Sequence, residues 1–196
     1  NINESLVINE FGVEEKYILS KLNSTIEKVT QLFEEYSLNE VPLRIEELFL
    51  ELSRTYVQLV REKLALGSKE DKEVVLYTIY KVIIECLKML APVTPFIAEK
   101  IYLEIKDSFS LKEESIHLFS WTKADKKMID DKLESEFEII SSIIQSILAT
   151  REKAQLGLRW PVKEVVITTA DENVIKAVNS LMDILINQTN VKEIKL

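Results

Sequence analysis

Apolar residues recur every three or four positions along most of the chain, a spacing that places them on one face of an α-helix. This spacing predicts five helices, over residues 13–36, 39–66, 68–90, 94–105 and 130–154. Between the last two, residues 107–127 lose the period and predict a long connection that packs onto the helices. Because most turns are short, neighbouring helices can lie antiparallel. The pattern therefore predicts a mainly α fold, a bundle of about five helices.

The pattern changes after residue 160. Residues 162–169 are short and β-branched, residues 171–187 return to the helical period, and residues 191–196 resemble a second strand. This order predicts a small β-α-β unit with parallel strands and a right-handed crossover. Because one helix cannot cover both faces of a parallel sheet, we expect the unit to lean on the bundle or to lack strands beyond Leu196.

These elements divide the chain into three predicted parts. Residues 1–12 form an N-terminal linker, residues 13–158 the helical bundle, and residues 159–196 a small α/β junction subdomain that we expect to be truncated. The sequence also begins without a methionine. We therefore expect a piece excised from a longer chain.

Composition narrows the chemistry available to this chain. With one cysteine, Cys86, and one histidine, His117, it cannot form an internal disulfide or a Cys/His zinc site by itself, which suits a reducing cytoplasm. No apolar run reaches the roughly 20 residues of a membrane span. There is also no glycine-rich phosphate loop and no G-x-S-x-G motif. We predict no catalytic residue, no metal site and no cofactor in this chain.

The segment from residue 151 to residue 163 is the sharpest anomaly, because it carries a charge of +3 in a chain of net charge −8. One interpretation is structural: Trp160 is a buried plug and the basic residues stabilise the end of the preceding helix. The other is RNA binding, in which Arg and Lys contact phosphates and Trp stacks on an unpaired base. The candidate RNA contacts are Arg151, Lys153, Arg159, Trp160 and Lys163.

A second group of candidate RNA contacts lies in the second predicted helix. Arg54 and Arg61 are seven residues apart, about two helical turns, so the spacing places them on one side, with Lys63 nearby. Glu51 and Glu62 lie close enough along the chain for the alternative, which is a set of intrahelical ion pairs.

Four stretches resemble the anticodon-binding domain of class I aminoacyl-tRNA synthetases of the Ile/Val/Leu group. Residues 17–23 are similar to W-I-L-S-R/K-L-N, residues 90–102 to L-A-P-x-x-P-F-x-A-E-x-I-Y, and residues 115–121 to S-V-H-L-x-x-W. Residues 151–163 resemble R-x-K-A and L-R-W-P-L-K of isoleucyl-tRNA synthetase in particular. Two departures are expected to matter little: Tyr17 keeps an aromatic plug where Trp is usual, and Thr122 in place of Pro loosens a turn.

The resemblance implies an all-helical bundle that binds the tRNA anticodon stem-loop, followed by a junction domain in a longer enzyme. The family's H-I-G-H and K-M-S-K-S motifs are absent from these residues, so we expect the chain alone to be non-catalytic. The parent would be a cytoplasmic, ATP- and Mg-dependent isoleucine-tRNA ligase. Its partners would be tRNA(Ile) and the catalytic domain of the same chain, with no membrane contact and a monomeric state.

Two alternatives remain open at this point. The chain could instead be the anticodon-binding domain of a valyl- or leucyl-tRNA synthetase. It could also be a helical protein-interaction module without RNA binding, with an exposed apolar stripe, for example on the last helix, as its partner surface.

Overall fold

The computed structural model describes residues 11–196, so most of the predicted N-terminal linker lies outside the described residues. The chain forms two compact units, residues 1–129 and 130–196, and each is described by itself below. Helices dominate both units, and the only sheet among the described residues has two short strands. The predicted mainly α fold is confirmed. No described helix combines the length and the apolar character needed to cross a membrane.

The N-terminal unit consists of helices that follow the predicted order. They are α1 (Val13–Glu34), α2 (Val41–Leu50), a π-helical turn (Glu51–Tyr56), α3 (Val57–Leu59), α4 (Arg61–Leu66), α5 (Lys69–Leu90) and α6 (Pro95–Lys106). Two short 3₁₀ turns follow, Ile116–Leu118 and Lys126–Met128. The core lies between α1, α2 and α5, whose buried apolar residues recur at the helical spacing read from the sequence.

Helix α1 begins and ends with hydrogen bonds that its sequence explains. At its start the Glu15 carboxylate accepts from the Gly12 amide at 2.9 Å. At its end Tyr36 adopts a left-handed conformation with φ 59°, and the Ser37 amide donates to the Leu32 carbonyl at 2.9 Å. This pairing closes the last turn of a helix, so α1 ends two residues before the predicted limit.

The second predicted helix is interrupted rather than continuous. In the π-helical turn the Val57 amide donates to the Leu52 carbonyl, one residue further back than in an α-helix. A second break follows at Val60, where ψ is 7°. The wide turn and the break both change the helical register between Arg54 and Arg61, so their placement on one side stays a prediction.

The C-terminal unit contains α7 (Asp131–Lys153), β1 (Val165–Val166), α8 (Glu172–Ser180), α9 (Met182–Thr189) and β2 (Ile194–Lys195). The strands are parallel, with Val165 opposite Ile194, and an isolated bridge joins Val162 and Val191. The predicted strand–helix–strand order is confirmed, although the strands are shorter than predicted and a break at Leu181 divides the helix.

Helix α7 packs against α8 and α9, and the contacts of the chain therefore group it with the C-terminal unit. The sequence instead assigned this helix to the bundle, with a boundary after residue 158. That division into domains stays a prediction, and the two units seen in the structure are used below.

Candidate nucleic-acid interface

Most of the predicted basic segment is an exposed loop that joins α7 to β1. We call residues 152–163, which begin with the last two residues of α7, the basic loop. At the end of α7 the Gln155 amide donates to the Glu152 carbonyl and the Leu156 amide to the Arg151 carbonyl, both at 2.9 Å. Gln155 takes the left-handed conformation, with φ 56°, that this type of helix end requires. The Trp160 amide then bonds the Gly157 carbonyl at 3.1 Å, which makes a turn just before the strand.

The buried side chain of Arg151 holds this loop in its conformation. Its side chain is buried, with only 5% of the residue exposed. Nη2 donates to the Gly157 carbonyl at 2.8 Å and to the Trp160 carbonyl at 2.5 Å. Nε and Nη1 are also buried, and they have no hydrogen-bond partner among the described residues. The guanidinium thus holds the loop from its buried side, so we assign Arg151 a positioning role.

The other four predicted residues of this segment are exposed. Trp160 exposes 72% of its surface, so the interpretation of Trp160 as a buried plug is wrong. The loop also exposes Leu156 and Leu158, two apolar side chains that the sequence reading did not select. The exposed basic residues of the loop are Lys153, Arg159 and Lys163. Cations and an indole ring therefore occur together on one solvent-facing loop.

Arg54 and Arg61 are exposed on the N-terminal unit. The alternative of intrahelical ion pairs with Glu51 and Glu62 is not observed: neither arginine lies within 4.0 Å of a carboxylate oxygen among the described residues. Glu51 instead accepts a hydrogen bond from the Tyr17 hydroxyl at 2.5 Å. Both guanidinium groups are thus available to a ligand of opposite charge.

Lys63 differs from these two arginines because it already binds carboxylates. Its Nζ lies 3.0 Å from Glu14 Oε2 and 3.1 Å from Glu15 Oε2. Burial by itself would lower the pKa of Lys63, but the charges of Glu15 and Glu14 outweigh that effect and the pKa is raised. Glu15 is fully buried and also accepts from the Tyr56 hydroxyl at 3.2 Å. In this structure Lys63 therefore compensates a buried carboxylate.

Comparison with known proteins decides the family. A sequence model described as the anticodon-binding domain of tRNA ligase matches residues 15–167, from the first turn of α1 through β1, including the whole basic loop. The chain belongs to this family.

Isoleucine–tRNA ligases are among the similar proteins. The chain is 42% identical over 188 residues to that of Pyrococcus abyssi, 39% over 186 residues to that of Thermococcus kodakarensis and 33% over 189 residues to that of Archaeoglobus fulgidus. These matches cover 94–95% of the chain but only 17–19% of the relatives. The resemblance to the isoleucyl group is confirmed, and the chain spans less than a fifth of the length of those proteins.

In this anticodon-binding domain the motif residues outside the basic loop have structural contacts. Glu99 Oε2 accepts from the Ser115 hydroxyl at 2.8 Å and from the Ile116 amide at 3.0 Å. Asn23 Oδ1 accepts from the Asp125 amide at 2.7 Å. These bonds fasten the long connection to α6 and α1, so the predicted packing of the connection onto the helices is confirmed.

Both departures from the family pattern make polar contacts in the interior of this anticodon-binding domain. Tyr17 is buried, as expected of an aromatic plug, and its hydroxyl adds the bond to Glu51. Thr122 is also buried, and its hydroxyl donates to Glu85, a carboxylate that Lys88 Nζ approaches to 2.8 Å. The expectation that Thr122 only loosens a turn is wrong, because its hydroxyl provides a donor that proline lacks.

Proposed function

We propose that this chain binds the anticodon stem-loop of tRNA(Ile) as one part of a longer isoleucine–tRNA ligase. The observation that carries the proposal is the exposed Trp160 beside exposed Arg159 and Lys163, in a member of the anticodon-binding family. The relatives named isoleucine–tRNA ligase support the choice of tRNA. Joining isoleucine to tRNA, together with ATP and Mg²⁺, would belong to the part of the protein outside these 196 residues.

The chemistry of the basic loop suits a single-stranded RNA loop. Lys153, Arg159 and Lys163 would contact phosphate oxygens, and the indole of Trp160 would stack on an unpaired base. Arg54 and Arg61 offer a second pair of cations on the N-terminal unit. Arg151 keeps the loop in shape and Lys63 stays with its carboxylates, so both support the interface without contacting RNA.

Binding at this site would serve the reaction through position. Contacts with the anticodon stem-loop hold the tRNA and orient its acceptor end toward a distant catalytic centre. Placing the reactants together in this way lowers the entropic part of the activation barrier. No group of this chain needs to enter the chemical step.

Affinity measurements on loop variants of the longer protein test this proposal. Trp160→Ala removes the stacking surface and should weaken tRNA(Ile) binding by about 1–3 kcal/mol. Arg159→Ala removes a phosphate contact and should also weaken it. Phe96→Ala and Lys176→Ala are matched controls, because they remove an exposed aromatic ring and an exposed cation elsewhere. Loop variants that bind tRNA as tightly as these controls would refute the proposed interface.

A salt titration tests the same interface in a different way. Each contact with a single-strand phosphate should contribute about −0.7 to the slope of log K against log salt. Arg159→Ala should therefore reduce the steepness by about one such contact. A slope unchanged by this substitution would show that Arg159 does not contact phosphate. Competition among the anticodon stem-loops of tRNA(Ile), tRNA(Val) and tRNA(Leu) measures the specificity.

A protein-interaction module is the second candidate function, and exposed apolar residues on α6 favour it. Phe96 is 89% exposed, and Ile97 and Leu103 are exposed on the same helix. The last helix, suggested from the sequence as such a surface, instead buries Ile184 and Leu185. This candidate predicts no binding of the tRNA by the longer protein even at low salt, a result opposite to that of the first proposal.

A further inference from the structure

A groove in the C-terminal unit borders the basic loop, and the RNA contacts proposed above leave it unused. It has a volume of about 550 Å³ and lies between one face of α7 and the strand β1. The helix lines it with alternating apolar and hydroxyl side chains, and the strand lines it with consecutive residues. The lining residues on α7 are Ser142, Ile143, Ser146, Ile147, Thr150 and Arg151, those in and beside β1 are Val162 and 164–167, and Ala154 and Leu156 of the basic loop also line the groove.

The groove follows the outer edge of β1. Successive side chains of a strand point to opposite faces, so a groove lined by four consecutive residues runs along an edge. On the inner edge the Val165 amide donates to the Glu193 carbonyl at 3.0 Å and the Ile167 amide to the Lys195 carbonyl at 2.8 Å. The backbone groups of Val166, between these two residues, therefore point away from β2. The described sheet has only these two strands, so it offers them no third strand.

An unpaired strand edge beside an apolar wall is the geometry that accepts an added strand. The backbone of an incoming segment hydrogen-bonds the edge, and its alternate side chains enter the pockets beside it. Ile143 and Ile147 of α7, with the exposed Val166, supply apolar surface for such side chains. If no segment occupied the groove, the exposed edge of β1 could pair with strands of other chains.

Arg151 gives one end of the groove a distinct chemistry. Its guanidinium bonds the Trp160 carbonyl, two residues before Val162, so it lies at the end where β1 is approached from the loop. Nε and Nη1 are buried without a partner among the described residues. A buried charged donor without an acceptor is unfavourable, so a carboxylate delivered to this end would be stabilised there.

We propose that an extended segment of the same, longer polypeptide adds as a third strand to the outer edge of β1, with apolar residues at alternate positions and an acidic residue next to Arg151. The proposal rests on the proposed function, because it takes the chain to be part of a longer ligase. The relatives have more than four-fifths of their length outside the matched region. A segment tethered to the groove has a much higher effective concentration than a separate partner.

Amide hydrogen exchange in the longer protein tests the strand addition. The Val166 amide should exchange about 100-fold or more slowly than in an unstructured chain, because the added strand accepts its hydrogen bond. Ser146→Trp fills the groove from α7 and should remove most of this protection. Gln145→Trp is the control, because residue 145 is an exposed neighbour that does not line the groove. A Val166 amide that exchanges at the unstructured rate in the longer protein would overturn the proposal.

Photo-cross-linking then identifies the occupant. With a photo-reactive amino acid in place of Ser146, the expected product joins position 146 to a peptide of the same polypeptide that has alternating apolar residues and an acidic end. Cross-links to a second copy or to a separate protein would overturn the proposal. The longer protein should bind tRNA(Ile) in a parallel assay. Normal tRNA binding with an unprotected Val166 amide refutes the added strand alone, whereas protection without tRNA binding refutes the RNA interface alone.

Discussion

At the scale of single residues, Arg151 shows how a buried basic side chain can shape the proposed RNA interface without belonging to its surface. It lies at the first position of the R-x-K-A motif, and it bonds two carbonyls of the basic loop. The loop then presents Arg159 and Trp160 to solvent. The exposed residues of the motif depend on the buried one for their position.

Replacing Arg151 should therefore affect stability as well as binding. Arg151→Ala removes the side-chain donor of the Trp160 carbonyl and one of two donors of the Gly157 carbonyl, and the free energy of unfolding should fall by about 1–3 kcal/mol. Arg151→Lys should restore little, because the lysine side chain is one bond shorter and its ammonium would not reach the position of Nη2, which donates to both carbonyls. Urea unfolding measures the change, with the exposed Lys153→Ala as control. Equal midpoints for the Arg151 and Lys153 variants would show that the two carbonyl bonds do not stabilise the fold.

A substitution at Gln155 should instead raise the free energy of unfolding. Its left-handed backbone conformation is unfavourable for a residue with a Cβ and accessible to glycine. Gln155→Gly should raise the free energy of unfolding by up to about 1 kcal/mol. Ala149→Gly is the matched control: Ala149 is an exposed residue within α7, and the substitution should lower stability by about 0.5–1 kcal/mol. Thermal unfolding of the two variants should show shifts of opposite sign.

The buried Cys86 thiol should make the free energy of unfolding depend on pH in the alkaline range. Burial raises the pKa of the Cys86 thiol to about 12 from its ordinary value of 9.0, and the charge of Glu85 adds to the effect. In the unfolded chain the Cys86 thiol therefore loses its proton at a lower pH than in the folded protein. The contribution of the buried thiol to the free energy of unfolding is complete below pH 9, and it is lost as the pH rises toward 12. The difference in unfolding free energy between wild type and Cys86→Ala should shrink over that range. A constant difference would contradict the burial argument.

At the scale of secondary-structure elements, the long connection between α6 and α7 is held by polar bonds as much as by apolar packing. The Trp121 indole donates to the Thr30 hydroxyl at 3.0 Å and packs edge-on against Phe33. Lys88 lies 5.9 Å from the centre of the Phe119 ring. The connection is therefore part of the folded N-terminal unit, and the residues of its motifs are the ones that attach it.

Removing one of these polar bonds should destabilise that unit. Thr122→Val keeps the shape of the side chain but leaves the buried Glu85 without the hydroxyl donor, at a cost of about 1–3 kcal/mol in unfolding free energy. Thr150→Val, at an exposed helical position, should change it by less than about 0.5 kcal/mol. In a double-mutant cycle, Thr122→Val should cost much less when Glu85 is already Ala. Additive costs would show that the two side chains are not coupled.

The sequence predicts these elements unequally well. Helix α7 was predicted at residues 130–154 and is observed at Asp131–Lys153, because an amphipathic period and its caps are local features. The π-helical turn at Glu51–Tyr56 was missed, since one additional residue in a turn barely disturbs the apolar pattern. The burial of Arg151 and the exposure of Trp160 depend on how the loop folds back on α7. Neither follows from composition or spacing.

At the scale of the whole molecule, the positive charge is concentrated in the segment proposed to bind RNA. The segment 151–163 carries +3 within a net charge of −8, so the remainder of the chain carries −11. A surface of that sign repels a polyanion and keeps non-specific association weak. The basic loop therefore has to provide most of the attraction within the C-terminal unit.

A combined charge variant tests this distribution. Lys153→Ala with Arg159→Ala and Lys163→Ala should weaken tRNA binding more than any single substitution in the basic loop, because Arg54 and Arg61 are then the only proposed contacts that this chain retains. Lys69→Ala with Lys100→Ala and Lys176→Ala removes the same charge from exposed helix positions and should change binding only slightly. Filter binding at two salt concentrations measures both. Similar losses for the two triple variants would show that net charge alone governs the association.

The π-helical turn also fixes the rotation of the chain that follows it. One residue more or less in a helix turns everything downstream by about 100° around the axis, since an α-helix has about 3.6 residues per turn. With the wide turn in place, Lys63 faces the buried Glu15. Deleting one residue between Glu51 and Tyr56 would swing Lys63 out of that position and leave an uncompensated carboxylate in the interior. The π-helical turn thus sets the helical register of the residues that follow it. We therefore expect insertions and deletions to be tolerated poorly at this turn.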